Sequence, residues 1–463
     1  MNRTTSFLKW ILVLMLPIIS TAQTKTMDYP TFIQIVREHH PIMTQAEIKA
    51  LEGEAYLLKA KGGFDPKVLA DIRQKQFEEK EYYSYINAGL KVPTWFGITL
   101  QGGFDSNRGQ YLGNESTTPM DGLLHAGITA NLGSGLFIDE RRAELKQAKI
   151  YLESTQLEQR LMENQLIFDA STAYWEWYKA YNKLQIYDAA VANATLRFEA
   201  IKNSALFGDR PSIDTLEAFI QVQNRQVKRE QSRLDFENKQ SQLNVFLWQD
   251  GYIPLELDST MAAPLYTNLV PSTPDVVTFL DMESLVNNHP EMQIARNKID
   301  IAKIDYRLSK EQLKPTLEVK YNALSAATSA DLENYSINNY AWGAQFSYPI
   351  FTRKERGNVK LSELKIQDQE AEVAQKGATI RYKLTFAKNN WLSSYEQVLI
   401  YTSAVQNYET MLAAELELFF LGESSIFMVN SRDKSTIDAQ IELVEIQFLN
   451  QLSKHFVDYQ LVR

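Results

Sequence analysis

The stretch from Phe137 to Phe207 contains neither proline nor glycine, and the stretch from Thr352 to Leu421 contains only Gly357 and Gly377. A helix of about 70 residues rises roughly 100 Å at 1.5 Å per residue, far longer than the helices that pack around one globular core. Runs of this length belong to coiled coils or helical arrays, so the fold must supply neighbours along their whole length. Each run ends in a glycine turn followed by a shorter helical pattern. Phe207, Gly208 and Asp209 lead to Ser212 and Asp214 in the first; Leu421, Gly422 and Glu423 lead to Ser425 and Ile426 in the second. The chain therefore reads as two long helical hairpins with tips at 207–212 and 422–425.

The hairpins belong to a duplication. His40 and Pro41 open a helical pattern that closes at Asp65 and Pro66, and His289 and Pro290 open one that closes at Lys314 and Pro315. The proline spacing is 25 in both (66 − 41 and 315 − 290). Gly127, Leu145 and Trp175 recur as Gly343, Leu361 and Trp391 at an offset of 216, and the tip glycines at 214 (422 − 208). The repeat unit is helix, strand, strand, helix, helix. The first copy covers 28–249: a helix over 30–64, strands within 66–133, a long helix over 137–206 and a return helix over 212–249. The second covers 276–463: a helix over 276–313, strands within 315–350, a long helix over 352–421 and a return helix over 425–461. Residues 250–275, rich in Pro, Thr and Asp, link the copies.

After the second proline of each copy the periodicity changes from helical to alternating. Leu317, Val319, Tyr321 and Ala323 alternate with Glu318, Lys320 and Asn322, and Tyr340, Trp342, Ala344 and Phe346 with Gly343, Gln345 and Ser347. In the first copy Leu124, Ala126, Ile128 and Ala130 alternate with His125, Gly127 and Thr129. Such alternation over about ten residues fits a membrane β-barrel strand and, locally, a half-buried strand in a soluble sandwich equally well. Pro66 to Gly127 spans 61 positions against 28 from Pro315 to Gly343. The surplus reads as an extra hairpin near 84–105, which either enters the barrel or flanks it.

Arg3 and Lys9, the apolar run from Trp10 to Ile19 and the small residues Ser20, Thr21 and Ala22 form a secretory signal peptide over 1–22, with cleavage expected after Ala22. No later apolar run reaches the roughly 18 residues a spanning helix needs, so a membrane role falls to the strands. A strand pair or quartet cannot cross a bilayer alone, because each open edge leaves N–H and C=O groups unpaired in hydrocarbon. One chain offers four strands, or six with the extra hairpin, so closure needs several chains. Their long helices then descend together as a sheath. The absence of cysteine excludes disulfides, thiolate metal sites and lipidation on a cysteine, and a net charge of −9 without a basic patch excludes nucleic acid as a partner.

The ordered landmarks resemble the TolC-type outer-membrane efflux protein family. The carrying residues are the His-Pro pairs at 41 and 290, the strand exit Tyr348-Pro349-Ile350-Phe351, the mid-helix Ala173-Tyr174-Trp175, and the tips Gly208 with Ser212-Ile213-Asp214 and Gly422 with Ser425-Ile426. The resemblance covers residues 28 to 463. It implies an α+β membrane protein in which a homotrimer shares a twelve-stranded outer-membrane β-barrel, continuous with a periplasmic α-helical barrel of roughly 100 Å. It also implies a periplasmic adaptor and an inner-membrane pump of RND, ABC or MFS type as partners, with outer-membrane lipid around the strands. The expected function is a passive exit duct of a tripartite efflux system, without catalytic residues, cofactor or metal. A type I protein-secretion duct uses the same kind of tube. A soluble periplasmic coiled-coil scaffold accounts for the helices but not for the alternating strands.

The tips carry the candidate site. Phe207, Gly208, Ser212, Leu421, Gly422 and Ser425 are expected to meet the adaptor, with glycine supplying the positive φ of the turn and Ser212 or Ser425 capping the return helix. In the resembled family, acids one turn apart after the second tip ring the periplasmic entrance. Met428 and Ser431 stand there instead, and acids occupy the corresponding first-tip positions, Asp214 and Glu217. These, with Asp209 and Glu423, are the expected entrance acids. His40 and His289 hold equivalent positions before proline, which favours a helix-start role over a metal site at His39 and His40. His125 falls on the polar strand face and lines the lumen. Tyr82, Tyr83, Tyr85, Trp95, Tyr340 and Trp342 suit interfacial girdles, while Trp175, Trp177 and Trp391 pack between helices.

Overall fold

A computed structural model describes residues 25–258, 260–327 and 336–462; the signal peptide read over 1–22 lies outside them. Each His-Pro pair divides what the sequence reads as one helix. The expected helix over 30–64 is α1 (Tyr29–His39) and α2 (Pro41–Lys61), and the one over 276–313 is α5 (Met282–Asn288) and α6 (Pro290–Glu311). Proline pushes the residue before it out of the helical region, and His40 and His289 are extended, at ψ 131° and 134°. The two imidazoles then act as helix caps. Nδ1 of His40 accepts the Ile42 backbone N–H at 3.1 Å, and Nδ1 of His289 accepts that of Glu291 at 3.1 Å. Burial holds both histidines below their ordinary pKa, which keeps Nδ1 free to accept.

The first copy continues into β1 (Lys67–Phe77), β2 (Lys80–Pro93), β3 (Ile98–Arg108) and β4 (Leu123–Asn131), then α3 (Glu140–Leu206) and α4 (Ser212–Asn244). A short hairpin, β5 (Trp248–Gln249) and β6 (Ile253–Pro254), follows. The second copy has β7 (Thr316–Ala326), β8 (Tyr340–Ser347), α7 (Arg353–Phe420) and α8 (Ile426–Leu461). Among the described residues no helix is long and apolar enough to cross a membrane. Two compact units form, and each draws on both copies. One holds the described residues up to Val36 with Ser171–Pro271 and Leu399–Phe448; the other holds Arg37–Ala170, Ser272–Val398 and the chain from Leu449.

The second unit contains one antiparallel sheet in the order β1-β2-β3-β4-β7-β8. The surplus hairpin is therefore part of the sheet, and the stretch 84–105 is a hairpin as expected, formed by β2 with β3. From Ile98 to Asn131 is 33 positions (131 − 98) and from Thr316 to Ser347 is 31 (347 − 316), so β3 and β4 match β7 and β8, and the added strands are β1 and β2. Register aligns one face across the strands. Leu90, Gly102, Ala126 and Ala323 stand in a row, with Val68 and Tyr340 at its ends. The opposite face is polar. Gln101 donates to Asn322 at 2.6 Å across β4, because Gly127 lies between them and a Cβ there would sit 2.3 Å from the Asn322 oxygen. Thr129 donates to Gln101, and His125 lies 3.2 Å from Asp105 on the same face. Tyr340 and Trp342 belong to the apolar face. Tyr83 and Tyr85 share the polar face with Asn87 by strand parity, so that pair is no part of an outer girdle.

In the first unit α8 has two seams. Ile437 and Val444 pack on Ile186 and Ala190 of α3, with Ile441 beside them, while Ala439 and Leu443 pack on Val405 of α7. Ile437, Ile441 and Val444, spaced four and three apart, form the first of these seams. A seven-residue apolar repeat on α4 behaves differently. Ile213, Ile220, Val227 and Leu234 are all exposed, and the buried stripe is Ala218, Val222, Arg225, Phe236 and Leu243. Tyr174 is buried between Tyr29 and Phe32 and donates to the Met27 carbonyl at 3.0 Å. Asn182, also buried, holds the linker by donating to Pro264 and accepting the Tyr266 N–H at 2.8 Å.

Candidate functional site

The two tips are closed by one arrangement of backbone bonds. Phe207 N–H reaches Asn203, Gly208 reaches Ala205 and Asp209 reaches back to Ser204 at 3.0 Å; Leu421, Gly422 and Glu423 repeat this with Glu417, Phe419 and Leu418, the last at 2.9 Å. Such a turn needs a residue in the left-handed region, and Gly208 and Gly422 sit at φ +83° and +78°. The return helices start differently. Ser425 accepts the Met428 N–H at 3.3 Å and caps α8. Pro211 takes the capping position of α4, which makes Ser212 its first helical residue and leaves it without that role.

Beneath the tips, Ile201 of α3, Ala218 of α4, Phe419 of α7, and Ile426 and Val429 of α8 form one apolar cluster, so the hairpins pack together to their ends. Arg210 fastens the first tip over the second. Its guanidinium donates to the Phe419 carbonyl at 3.0 Å and lies 3.8 Å from the centre of the Phe419 ring. One turn deeper, Asp433 of α8 receives Arg197 of α3 at 3.0 Å and Arg225 of α4 at 3.2 Å. Glu415 accepts from Ser424 and faces Arg432 at 3.6 Å.

The expected entrance acids fall into two classes. Asp209 and Glu423 are exposed at the turns. Asp214 and Glu217 are half-buried, Asp214 3.9 Å from Arg210 and Glu217 accepting from Asn430 at 3.1 Å. The expected docking residues Phe207 and Leu421 are 84% and 74% exposed, and Leu206, Ile213, Phe420 and Phe427 extend that apolar surface. Arg197, Arg210, Arg225 and Asp433 are absent from the sequence-based expectation. A signal for two of them existed. Asp433 stands on the stripe Ile426, Val429, Ile437, and Arg225 on the stripe Ala218, Val222, so each is a charge placed where periodicity demands an apolar side chain.

The family model described as outer membrane efflux protein matches residues 282–451. The solvent efflux pump outer membrane protein SrpC of Pseudomonas putida is 24% identical over 345 residues, 69% of this chain and 71% of that protein. In fold, the chain is similar to the open state of the Neisseria gonorrhoeae MtrE outer membrane channel, with TM-score 0.66, 12% identity and coverage of 93% of this chain and 88% of that one. It is also similar to the outer membrane protein VceC of Vibrio cholerae, with TM-score 0.65, 13% identity and coverage of 93% and 95%.

Proposed function

We propose that the chain is a member of the outer membrane efflux protein family and the exit channel of a tripartite efflux system in the outer membrane. One observation carries the reading. A single chain combines a sheet that is apolar on one face and polar on the other with two long helical hairpins whose tips share one turn. The apolar face suits lipid, the polar face suits a water-filled lumen, and hairpins of this length suit a duct wall. Nothing in such a conduit needs a catalytic group, because transport energy enters through its partners.

The assembly is a homotrimer in this reading. Its support is the heptad of Ile213, Ile220, Val227 and Leu234, an apolar seam that one chain leaves exposed and a neighbouring copy covers. The exposed side chains of Phe207 and Leu421 meet the periplasmic adaptor, with Gly208, Ser212, Gly422 and Ser425 shaping that end, and the adaptor connects to an inner-membrane transporter. Asp209, Glu423, Asp214 and Glu217 make the entrance negative, the first two as free charges and the last two anchored beside Arg210 and Asn430. The test is single-channel conductance of the purified protein in planar bilayers after recovery from the outer membrane. Divalent cations on the tip side should block the parent, and Asp214→Ala with Glu217→Ala should relieve that block. An unchanged block removes these two acids from the entrance. Recovery in the soluble periplasm overturns the channel itself.

A further inference from the structure

An apolar face that continues without a break over six strands demands hydrocarbon against all six. Val68, Ala70 and Ile72 of β1 lie in register beside Leu90, Ala88 and Ile86 of β2, and these beside Gly102, Phe104 and Ser106 of β3. The apolar belt ends at one level on these strands, where Gln74, Ser84 and Arg108 stand in a row. The other face of the added strands is polar, with Lys67, Asp71 and Arg73 on β1 and Asn87 and Lys91 on β2. β1 has 11 residues and β2 14, against 11 in β3 and in β7. A tilted membrane strand needs about 9–11. The added hairpin thus has the length, pairing and two-faced pattern of a barrel wall.

We propose that β1 and β2 are wall strands of the membrane barrel, that the β1 edge of each copy pairs with the β8 edge of the next, and that three copies close an eighteen-stranded barrel (three times six). This rests on the trimeric exit-channel reading above and changes what that trimer builds. β1 and β8 are the sheet's two edges among the described residues. In lipid, an open edge costs several kcal/mol for each unpaired backbone group, so both edges require a strand, and a second copy of this chain supplies one to each. The strand count also fits. Six is even, so β8 runs opposite to β1, and pairing β8 with a neighbour's β1 keeps the whole ring antiparallel. Barrel diameter grows roughly in proportion to strand number, so this barrel is about one and a half times as wide as a twelve-stranded one. The membrane segment then admits bulkier solutes than a four-strand contribution per chain allows.

The chain has no cysteine, so pairs can be introduced without background. Ala70→Cys in β1 is combined in turn with Trp342→Cys, Ala344→Cys and Phe346→Cys in β8, and the proteins are oxidised in the outer membrane and run on non-reducing gels. At least one pair should give covalent dimers and trimers, and Leu100→Cys in β3 with the same β8 partners should give none. Crosslinking of β3 in place of β1 overturns the proposal by putting the added hairpin outside the wall, and a ladder that stops at the dimer overturns it in favour of a two-chain barrel. Deletion of Lys67–Gly97 joins Pro66 to Ile98 as Pro315 joins Thr316, and should move the crosslink to Leu100. If no cysteine pair links or the variants fail to insert, electron cryomicroscopy of the parent decides, eighteen wall strands supporting the proposal and twelve overturning it. The mass of the solubilised parent is a separate reading: anything but a trimer removes the trimeric premise, whereas a trimer with twelve strands removes this inference alone.

Discussion

The first hairpin and the second use the same backbone to turn, with matching bonds from Asp209 to Ser204 and from Glu423 to Leu418, but they handle charge in opposite ways. Lys179, Lys183, Arg197, Arg210 and Arg225 all come from the first copy. Across the hairpins they reach groups of the second, Glu445 for the two lysines, Asp433 for Arg197 and Arg225, and the Phe419 carbonyl and ring for Arg210, which also lies 3.9 Å from Asp214 of its own copy. Duplication supplied two equivalent frames, and the side chains then made them complementary. A first-copy hairpin facing another first-copy hairpin would oppose cation to cation, so the charges favour mixed packing.

The most damaging single change should be Asp433→Ala. The carboxylate side chain is 10% exposed and that of Arg225 9%, so its removal strands a buried charge. Breaking a buried pair from one side costs about 3–5 kcal/mol, to be read as a lower denaturation midpoint. If the loss were no more than that of an ordinary surface change, about 0.5 kcal/mol, the division of charge between the copies would be incidental.

A smaller asymmetry concerns His455 of α8, which is buried and whose pKa burial, with Lys454 nearby, lowers to about 3. Its folded pKa lies below the unfolded value, so the neutral ring's contribution is complete above about pH 6.5 and declines as pH falls toward the folded pKa. The slope is about 1.4 kcal/mol per pH unit, or roughly 2 kcal/mol between pH 7 and pH 5. Denaturation midpoints at those two pH values should separate the parent from His455→Gln, which does not titrate. Equal pH sensitivity of the two proteins would refute the assignment.

Gly208→Ala and Gly422→Ala should each cost about 1–2 kcal/mol, the strain of placing an L-residue in the left-handed region. Beyond the adjacent residues of the chain, nothing lies within 4 Å of a Cβ built at either position, so tertiary contacts do not add to that cost. Equal losses in thermal stability would sharpen the view that the turns are interchangeable. A large difference would break it.

Sequence periodicity disclosed the duplication, the long helices and the alternating strands, because each imposes a local repeat on residue type. It also disclosed the hairpin at 84–105, which forms as β2 with β3, while landmark counting fixes how many residues were added but not which ladder they join. The seven-residue repeat of Ile213, Ile220, Val227 and Leu234 is visible in the sequence, but its exposure is not, because one chain's sequence does not say which chain covers a stripe. Asp433 and Arg225 stood in plain view as charges on apolar stripes, yet their partnership is a long-range contact with no periodic signature. Arg210 left no pattern at all. Its contact depends on how closely two turns 214 positions apart approach (422 − 208).

The finest test of equivalence between the copies lies at the helix starts. His40 and His289 make the same bond, 3.1 Å from Nδ1 to the backbone N–H two residues on, and both rings are buried. Removing a side-chain cap costs about 0.5–2 kcal/mol, so His40→Ala and His289→Ala should each destabilise by about 1 kcal/mol. Asparagine keeps an acceptor near the position of Nδ1 and is itself a favoured cap, so His40→Asn and His289→Asn should recover part of the loss. Burial, by contrast, is not restored by asparagine, whose side chain is smaller than the imidazole. The share recovered by asparagine therefore separates capping from packing at each site. If it recovers stability at one histidine and not the other, the shared hydrogen bond conceals two different roles, and the likeness of the copies ends at their backbones.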